Sequence, residues 1–220
     1  IVGFFAPACD PIHKATIIPR GRALGMVMRL PEKDKYSVTR EKMKSDMAMA
    51  MGGRVAEEII FGYDKVTSGA QSDIQYATNM ARSMVKKWGM SDELGPVFHG
   101  EENENPFLGY SMGKSDHVSE KTMDLIDQEV KDLIEEAYKF AEEILHEHED
   151  KLHELSLALI EYETLTGQEI TDLLEGKKIK RASAKKLKQG KGKKKSSFAG
   201  NSSKGDDSDK LPPDVQPQGT

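Results

Sequence analysis

One cysteine in 220 residues, Cys9, excludes an internal disulfide and a cysteine-based zinc cluster, and it fits a reducing compartment. No neighbouring residue marks Cys9 as a nucleophile, so a small buried side chain is the expectation for it. No apolar run reaches the roughly 18 to 20 residues that a membrane helix requires, and nothing near Ile1 reads as a signal peptide. This stretch by itself is expected to be soluble. Aromatic residues make up only 6% against an apolar total of 37%, a balance suited to a helix-rich domain with a single core. The histidines are His13, His99, His117, His146, His148 and His153, and no two stand four apart as a pair of ligands on one helical turn would.

Charge is present but unevenly spread. Lys177 to Lys195 holds eleven basic residues and no acids, so the excess of acid over base that sets the net charge of −5 lies in the body. Composition divides the chain near Gly176 into a domain over 1–176 and a low-complexity tail over 177–220, first basic and then acidic and proline-rich. The tail has too little apolar content to offset the entropy of ordering, so disorder is predicted there. Its lysines lack interleaved aromatics, which argues against specific nucleic-acid reading and leaves only generic attraction to anionic lipid or RNA.

Within the body the elements follow from spacing. Ala15 to Ile18 is β-branched, Pro19-Arg20-Gly21-Arg22 is a loop and Leu24 to Leu30 is apolar, which predicts a hairpin. Arg20 and Arg22 suit either solvent or carboxylates of a neighbouring subunit. Met43, Met47, Met51, Val55 and Ile59 form a four-residue stripe for one long helix over Thr39 to Phe61, capped by Thr39. The adjacent Gly52 and Gly53 inside it predict close approach of another backbone. Ser91 to Asp116 reads as a surface loop, with His99 and His117 solvated. A helix from Ser119 to about His148 and another over roughly Asp150 to Glu161 are expected as an antiparallel pair. In HEHEDKLH the three histidines do not share one helix face, so no metal site is expected from them. Thr166 and Glu169 form a capping box for a last short helix ended by Gly176.

The chain is organised around Thr67 to Trp88, TSGAQSDIQYATNMARSMVKKW. Ile74, Ala77, Ala81, Met84, Val85 and Trp88 make the buried stripe of a helix. Asp73 shares a face with Ala77, Met80 and Met84, so a carboxylate is aimed toward apolar neighbours. The local explanation is a helix start: Ser68 with Gln71 has the pattern of a capping box, and the helix dipole favours an acid in the first turn.

That stretch, with WGMSDELGPV after it, resembles the protease module of the FtsH family of membrane-anchored, ATP-dependent zinc metalloproteases. DPIHKATIIPRGRALG (Asp10 to Gly25), GGRVAEEIIFG (Gly52 to Gly62) and IDQEVKDLI (Ile126 to Ile134) resemble it too, in family order, so the likeness spans about Ile1 to Gly176. The resemblance implies that Asp73 is the third zinc ligand. Glu57 is the alternative, because a glutamate on a helix after H-E-x-x-H ligates zinc in some other metalloprotease families. It also implies that H-E-x-x-H, with its two histidines and general-base glutamate, lies immediately before a segment like Ile1 to Phe5. No catalytic residue is therefore expected in this chain, which alone should be inactive. In related proteases a strand near the zinc pairs with extended substrate, a role carried here to Thr16, Ile17 and Ile18.

The expectation is thus a mainly α fold, a helical zinc-metalloprotease domain with one small β-hairpin and a long antiparallel helix pair, followed by a disordered tail. The implied cofactor is Zn²⁺, with ATP and Mg²⁺ on a separate ATPase module. The implied partners are protein substrates, five further copies in a homo-hexamer and the membrane, through segments outside this chain, with no specific nucleic acid. The implied location is the bacterial inner membrane with the protease on the cytoplasmic side. The competing reading is a non-enzymatic helical interaction protein with a basic tether.

Overall fold

A computed structural model of the chain describes residues 1–21, 23–31, 37–100 and 118–181. The elements in order are α1 (Val2–Phe5), β1 (Ile12–Thr16), β2 (Met26–Arg29), α2 (Arg40–Phe61), α3 (Gln71–Lys86), α4 (Glu120–Glu147), α5 (Glu149–Tyr162), β3 (Thr164–Thr166) and α6 (Gly167–Leu174), with a 3-10 turn at Ser68–Ala70 leading into α3. The mainly α expectation with one small sheet holds.

Helix α2 begins as its sequence dictates. The Thr39 side chain accepts from Lys42 N, and Glu41 stands in the positive first turn. Its methionine stripe is buried: Met47 is inaccessible and Met43, Met51 and Val55 nearly so. Such side chains each contribute roughly 1.5–3 kcal/mol of transfer free energy when removed from water. They face Ala77, Ala81, Met84 and Val85 of α3 and Ile126, Val130, Leu133, Ala137 and Ala141 of α4, so α2, α3 and α4 share one core. Tyr138 of α4 donates to Glu58 of α2 and ties the two helices at the far end. Burial, reinforced by that bond and by the Glu58 charge, pushes the Tyr138 phenol up to about 12.

The loop after α1 is anchored by charge. The Lys42 ammonium lies 3.2 Å from Asp10 and 2.5 Å from Asp46, largely out of solvent. Burial alone would lower its pKa, but hydrogen bonds and charge from Asp46 and Asp10 more than reverse that. Next to it, the Arg29 guanidinium crosses Gly3 and donates to the Asp10 carbonyl.

Strands β1 and β2 pair antiparallel as predicted, but the sheet has a third strand that the sequence did not announce. Thr164–Thr166 pairs antiparallel with β1, Ala15 opposite Leu165, giving the order β2-β1-β3. Three residues are too few for alternation to register. Leu165, Ala15, Ala158, Ile170, Leu173 and Leu174 form a second core around this sheet. Helix α5 serves that core through Leu155, Ala158 and Leu159, whereas α4 packs on α2 and α3; α4 and α5 touch each other sparingly. The capping box of Thr166 and Glu169 forms as expected, and Gly176, at φ 80°, closes α6.

The first residues beyond Gly176 are held to the domain. The Arg181 guanidinium pairs with Glu169 at 3.0 Å and lies 5.2 Å from the Tyr162 ring centroid. The expected tail over 177–220 otherwise lies outside the described residues, as does the loop around His117. His99, expected in solvent, is half-buried, and its Nε2 has no hydrogen-bond partner among the described residues. Of the other histidines, His148 stacks on Phe5 at 3.7 Å and joins α1 to the α4–α5 turn.

Two glycines mark close approaches. A Cβ on Gly52 would meet the Val2 Cγ2 at 3.0 Å, whereas one on Gly53 would meet nothing within 4 Å. Of the expected pair, only Gly52 faces a neighbour, and that neighbour is a side chain of α1. A Cβ on Gly167 would lie 1.8 Å from the Ile12 carbonyl oxygen, so α6 docks on β1 only because that Cβ is missing. Gly53→Ala should raise stability by about 0.5–1 kcal/mol through helix propensity. Gly52→Val and Gly167→Ala should each lower it by about 1–3 kcal/mol through overpacking. Urea unfolding of the three variants checks the ranking; equal effects at Gly52 and Gly53 contradict it.

Candidate metal centre

The helix that carries Asp73 starts in a different way from the one its sequence suggests. Ser68 and Gln71 do not form a capping box; Thr67 takes that place, its hydroxyl accepting from Gly69 N at 3.2 Å. The 3-10 turn Ser68–Ala70 then runs directly into α3, and Asp73 stands in its first turn. Ala77, Ala81, Met84 and Val85 are buried below it. Asp73 itself is exposed, at the open end of the stripe, as is much of Ile74. A water-exposed first-turn carboxylate is favoured by the helix dipole, so no burial penalty needs to be offset.

The carboxylates near this helix divide by what engages them. Glu57, half-buried near the end of α2, accepts from Thr67 N at 2.9 Å with Oε2 and from the Thr67 hydroxyl at 2.8 Å with Oε1. Those bonds, the backbone one first, hold its pKa below the usual carboxylate range, with Arg54 adding to them. Its neighbour Glu58 is engaged by Tyr138. Asp73 has no hydrogen bond or ion pair among the described residues. Each Glu57 oxygen already accepts one bond, whereas both Asp73 oxygens are without a partner among the described residues, so Asp73 is the freer of the two to meet a metal. Among the described residues no three His, Cys, Asp or Glu side chains gather to hold a metal.

Beside the Glu57–Thr67 contact a cavity of about 660 Å³ opens, lined by Arg54, Val66, Thr67, Ser68, Gln71, Ile74 and Gln75. Its polar groups are amides, hydroxyls and one guanidinium. Asp73 sits on the adjoining face of α3, about 100° round from Ile74.

The three residues assigned to substrate are split by the sheet. Thr16 pairs on both sides, with Met26 and with Thr164, and its hydroxyl bonds Glu163 O and Thr164 Oγ1. It is a central-strand residue with no free edge. Ile17 N donates to Glu163 O, and the Ile17 and Ile18 side chains are exposed by 41% and 46%. Among the described residues β2 and β3 are the two edge strands of the sheet, and Val27 on β2 is 61% exposed. Strand order, which decides this, is set by β3 from 150 residues further along the chain and has no local signal.

Fold and site together define a mainly helical domain with one small sheet and one helix-start carboxylate available to a metal. Residues 1–173 match the sequence profile of Peptidase family M41, and the chain belongs to that family. It is 57% identical to the ATP-dependent zinc metalloprotease FtsH of Rickettsia bellii (strain RML369-C) over 179 residues, 81% of this chain and 28% of the relative. Against the protein of the same name from Neorickettsia risticii (strain Illinois) it is 59% identical over 172 residues, 77% of this chain and 26% of the relative. Against that of Caulobacter vibrioides (strain NA1000 / CB15N) it is 55% identical over 176 residues, 80% and 28%. The chain spans little more than a quarter of the length of these relatives.

The bonds that lower the Glu57 pKa give a pH signature. A depressed carboxylate contributes stability that is present above its unfolded pKa, near 4.5, and lost as pH falls through the folded value. Amide-exchange protection at Thr67 and Gly69, corrected for intrinsic rates, should therefore fall in the acid range below pH 4.5 ahead of that of α2. In Glu57→Gln this pH dependence should vanish; its persistence would show that another group holds the turn.

Proposed function

We propose that this chain is the larger part of the protease domain of an ATP-dependent zinc metalloendopeptidase that degrades unfolded or membrane proteins. Family membership supports the peptidase reading, and the observation that carries the site is the unengaged carboxylate of Asp73 at the start of α3 beside two committed glutamates. Asp73 is the ligand this chain offers to Zn²⁺, with Glu57 the rival. The two histidines and the general-base glutamate of the H-E-x-x-H motif are not among the residues of this sequence. Bound zinc supplies Lewis-acid activation for peptide hydrolysis.

The chain's own residues orient and bind. Thr67 and the turn after it fix where α3 begins and so where the Asp73 carboxylate stands. The small sheet receives extended substrate by backbone pairing, which grips any sequence without demanding particular side chains. Thr16 lies at the centre of that sheet, the exposed Ile17 and Ile18 flank the path, and an edge strand supplies the pairing backbone. ATP and Mg²⁺ act on a separate module that unfolds and feeds substrate. Six copies form the working ring, anchored in the bacterial inner membrane by segments outside this chain with the protease on the cytoplasmic side. No helix among the described residues is long and apolar enough to cross a membrane.

In the full-length enzyme Asp73→Asn keeps size and removes the charge. It should abolish casein digestion and lower bound zinc while leaving ATP hydrolysis nearly intact. Zinc content and proteolysis retained in Asp73→Asn, with both lost in Glu57→Gln, would falsify the ligand assignment. The isolated chain should not digest casein, since one carboxylate cannot replace three ligands.

A further inference from the structure

We propose that Glu57 is a positioning residue for the metal-ligand helix, setting where Asp73 stands by gripping Thr67 and not by touching zinc. The inference rests on the reading of Asp73 as the ligand.

Three polar groups of Thr67 are taken by α2. Glu57 accepts from its backbone N–H and from its hydroxyl, and Arg54, one turn earlier on the same helix face, donates to its carbonyl at 3.1 Å. Thr67 has no further backbone polar group, so its place relative to α2 is fully specified. The same hydroxyl, while donating to Glu57, accepts from Gly69 N and starts the 3-10 turn. The 3-10 turn Ser68–Ala70 passes directly into α3, with Ala70 at φ −80°, ψ 8° at the junction, and Asp73 is the third residue of that helix. With so short a connection, a displaced Thr67 displaces Asp73.

A Cβ on Gly69 would lie 3.2 Å from the Thr67 hydroxyl oxygen and in ordinary contact, 3.9 Å, with Glu57 Oε1, so the turn lies against both groups. Bonds to an ionised carboxylate are the stronger kind, and two from one residue fix direction as well as distance. Metal sites tolerate errors of only about 0.2 Å in ligand distance. Helix α2 is itself packed into the shared core through Met47, Met51 and Val55. The chain of constraint therefore runs from core to Glu57, from Glu57 to Thr67, and from Thr67 to Asp73.

The test uses the full-length enzyme and two readouts: zinc affinity by chelator competition, and amide-exchange protection at residues 67–70. Groups that orient metal ligands typically change metal affinity by about 10–100-fold when removed. Glu57→Ala should weaken zinc binding by that factor, yet still bind one zinc per subunit at saturating metal, and should lose the protection. Thr67→Val, which leaves Glu57 intact and removes the hydroxyl, should move both readouts the same way, and Thr67→Ser should restore them. The double variant Glu57→Ala/Thr67→Val should be little worse than Glu57→Ala alone, because both cut the same link. Full-strength zinc binding in Glu57→Ala despite lost protection overturns the proposal. So does a Thr67→Val enzyme with unchanged zinc affinity beside a Glu57→Ala enzyme that binds none, for then Glu57 is itself a ligand. Asp73→Asn in the same assay separates the two readings: zinc affinity unchanged there sinks the ligand assignment, whereas zinc lost there but unaltered in Glu57→Ala sinks only the positioning role.

Discussion

The burial of α2 between α3 and α4 is the interaction from which the rest of this structure follows. A helix with an apolar stripe on one side can be covered by a single partner, but α2 presents Met43, Met47, Ala48, Met51 and Val55 to two helices at once. Methionine suits such a position, since its unbranched side chain fills the uneven gaps between two partners. Once α2 is fixed, the polar groups at its ends become rigid fixtures. At one end Lys42 gathers Asp10 and Asp46; at the other Arg54, Glu57 and Glu58 reach to Thr67 and Tyr138.

Those end fixtures explain how two adjacent glutamates and Asp73 serve different ends. Glu57 and Glu58 are neighbours in sequence and so lie about 100° apart on the helix, one facing the turn before α3 and the other facing α4. Each spends its lone pairs on holding a neighbouring element in place. Asp73 has no such task and stands at the water-exposed start of a helix whose other face is buried. Chemistry that needs an uncommitted anion in a fixed place finds it there.

Much of this was legible in the sequence. The stripes of α2, α3 and α4 have helical period, and Thr39, Ser119 and the Thr166–Glu169 box cap helices where the residues say they should. What could not be read depends on partners distant in the chain. Asp73 shares a face with Ala77 and yet is exposed, because periodicity gives a side chain's direction and not what lies beyond it. Thr67 displaced Ser68 as the cap because α2 supplies a carboxylate ten residues upstream, and that preference is tertiary. Strand β3 and the central place of β1 rest on pairing between residues about 150 apart. Thr16 therefore lies on a central strand with β2 and β3 on either side.

We propose that Asp73 holds zinc while Glu57 holds Thr67, and a zinc-edge anomalous-diffraction structure of the full-length enzyme distinguishes the two carboxylates. A zinc peak is expected about 2.0–2.2 Å from an Asp73 carboxylate oxygen, with both Glu57 oxygens still on Thr67. A zinc peak at that distance from Glu57, with its bonds to Thr67 broken, would contradict it.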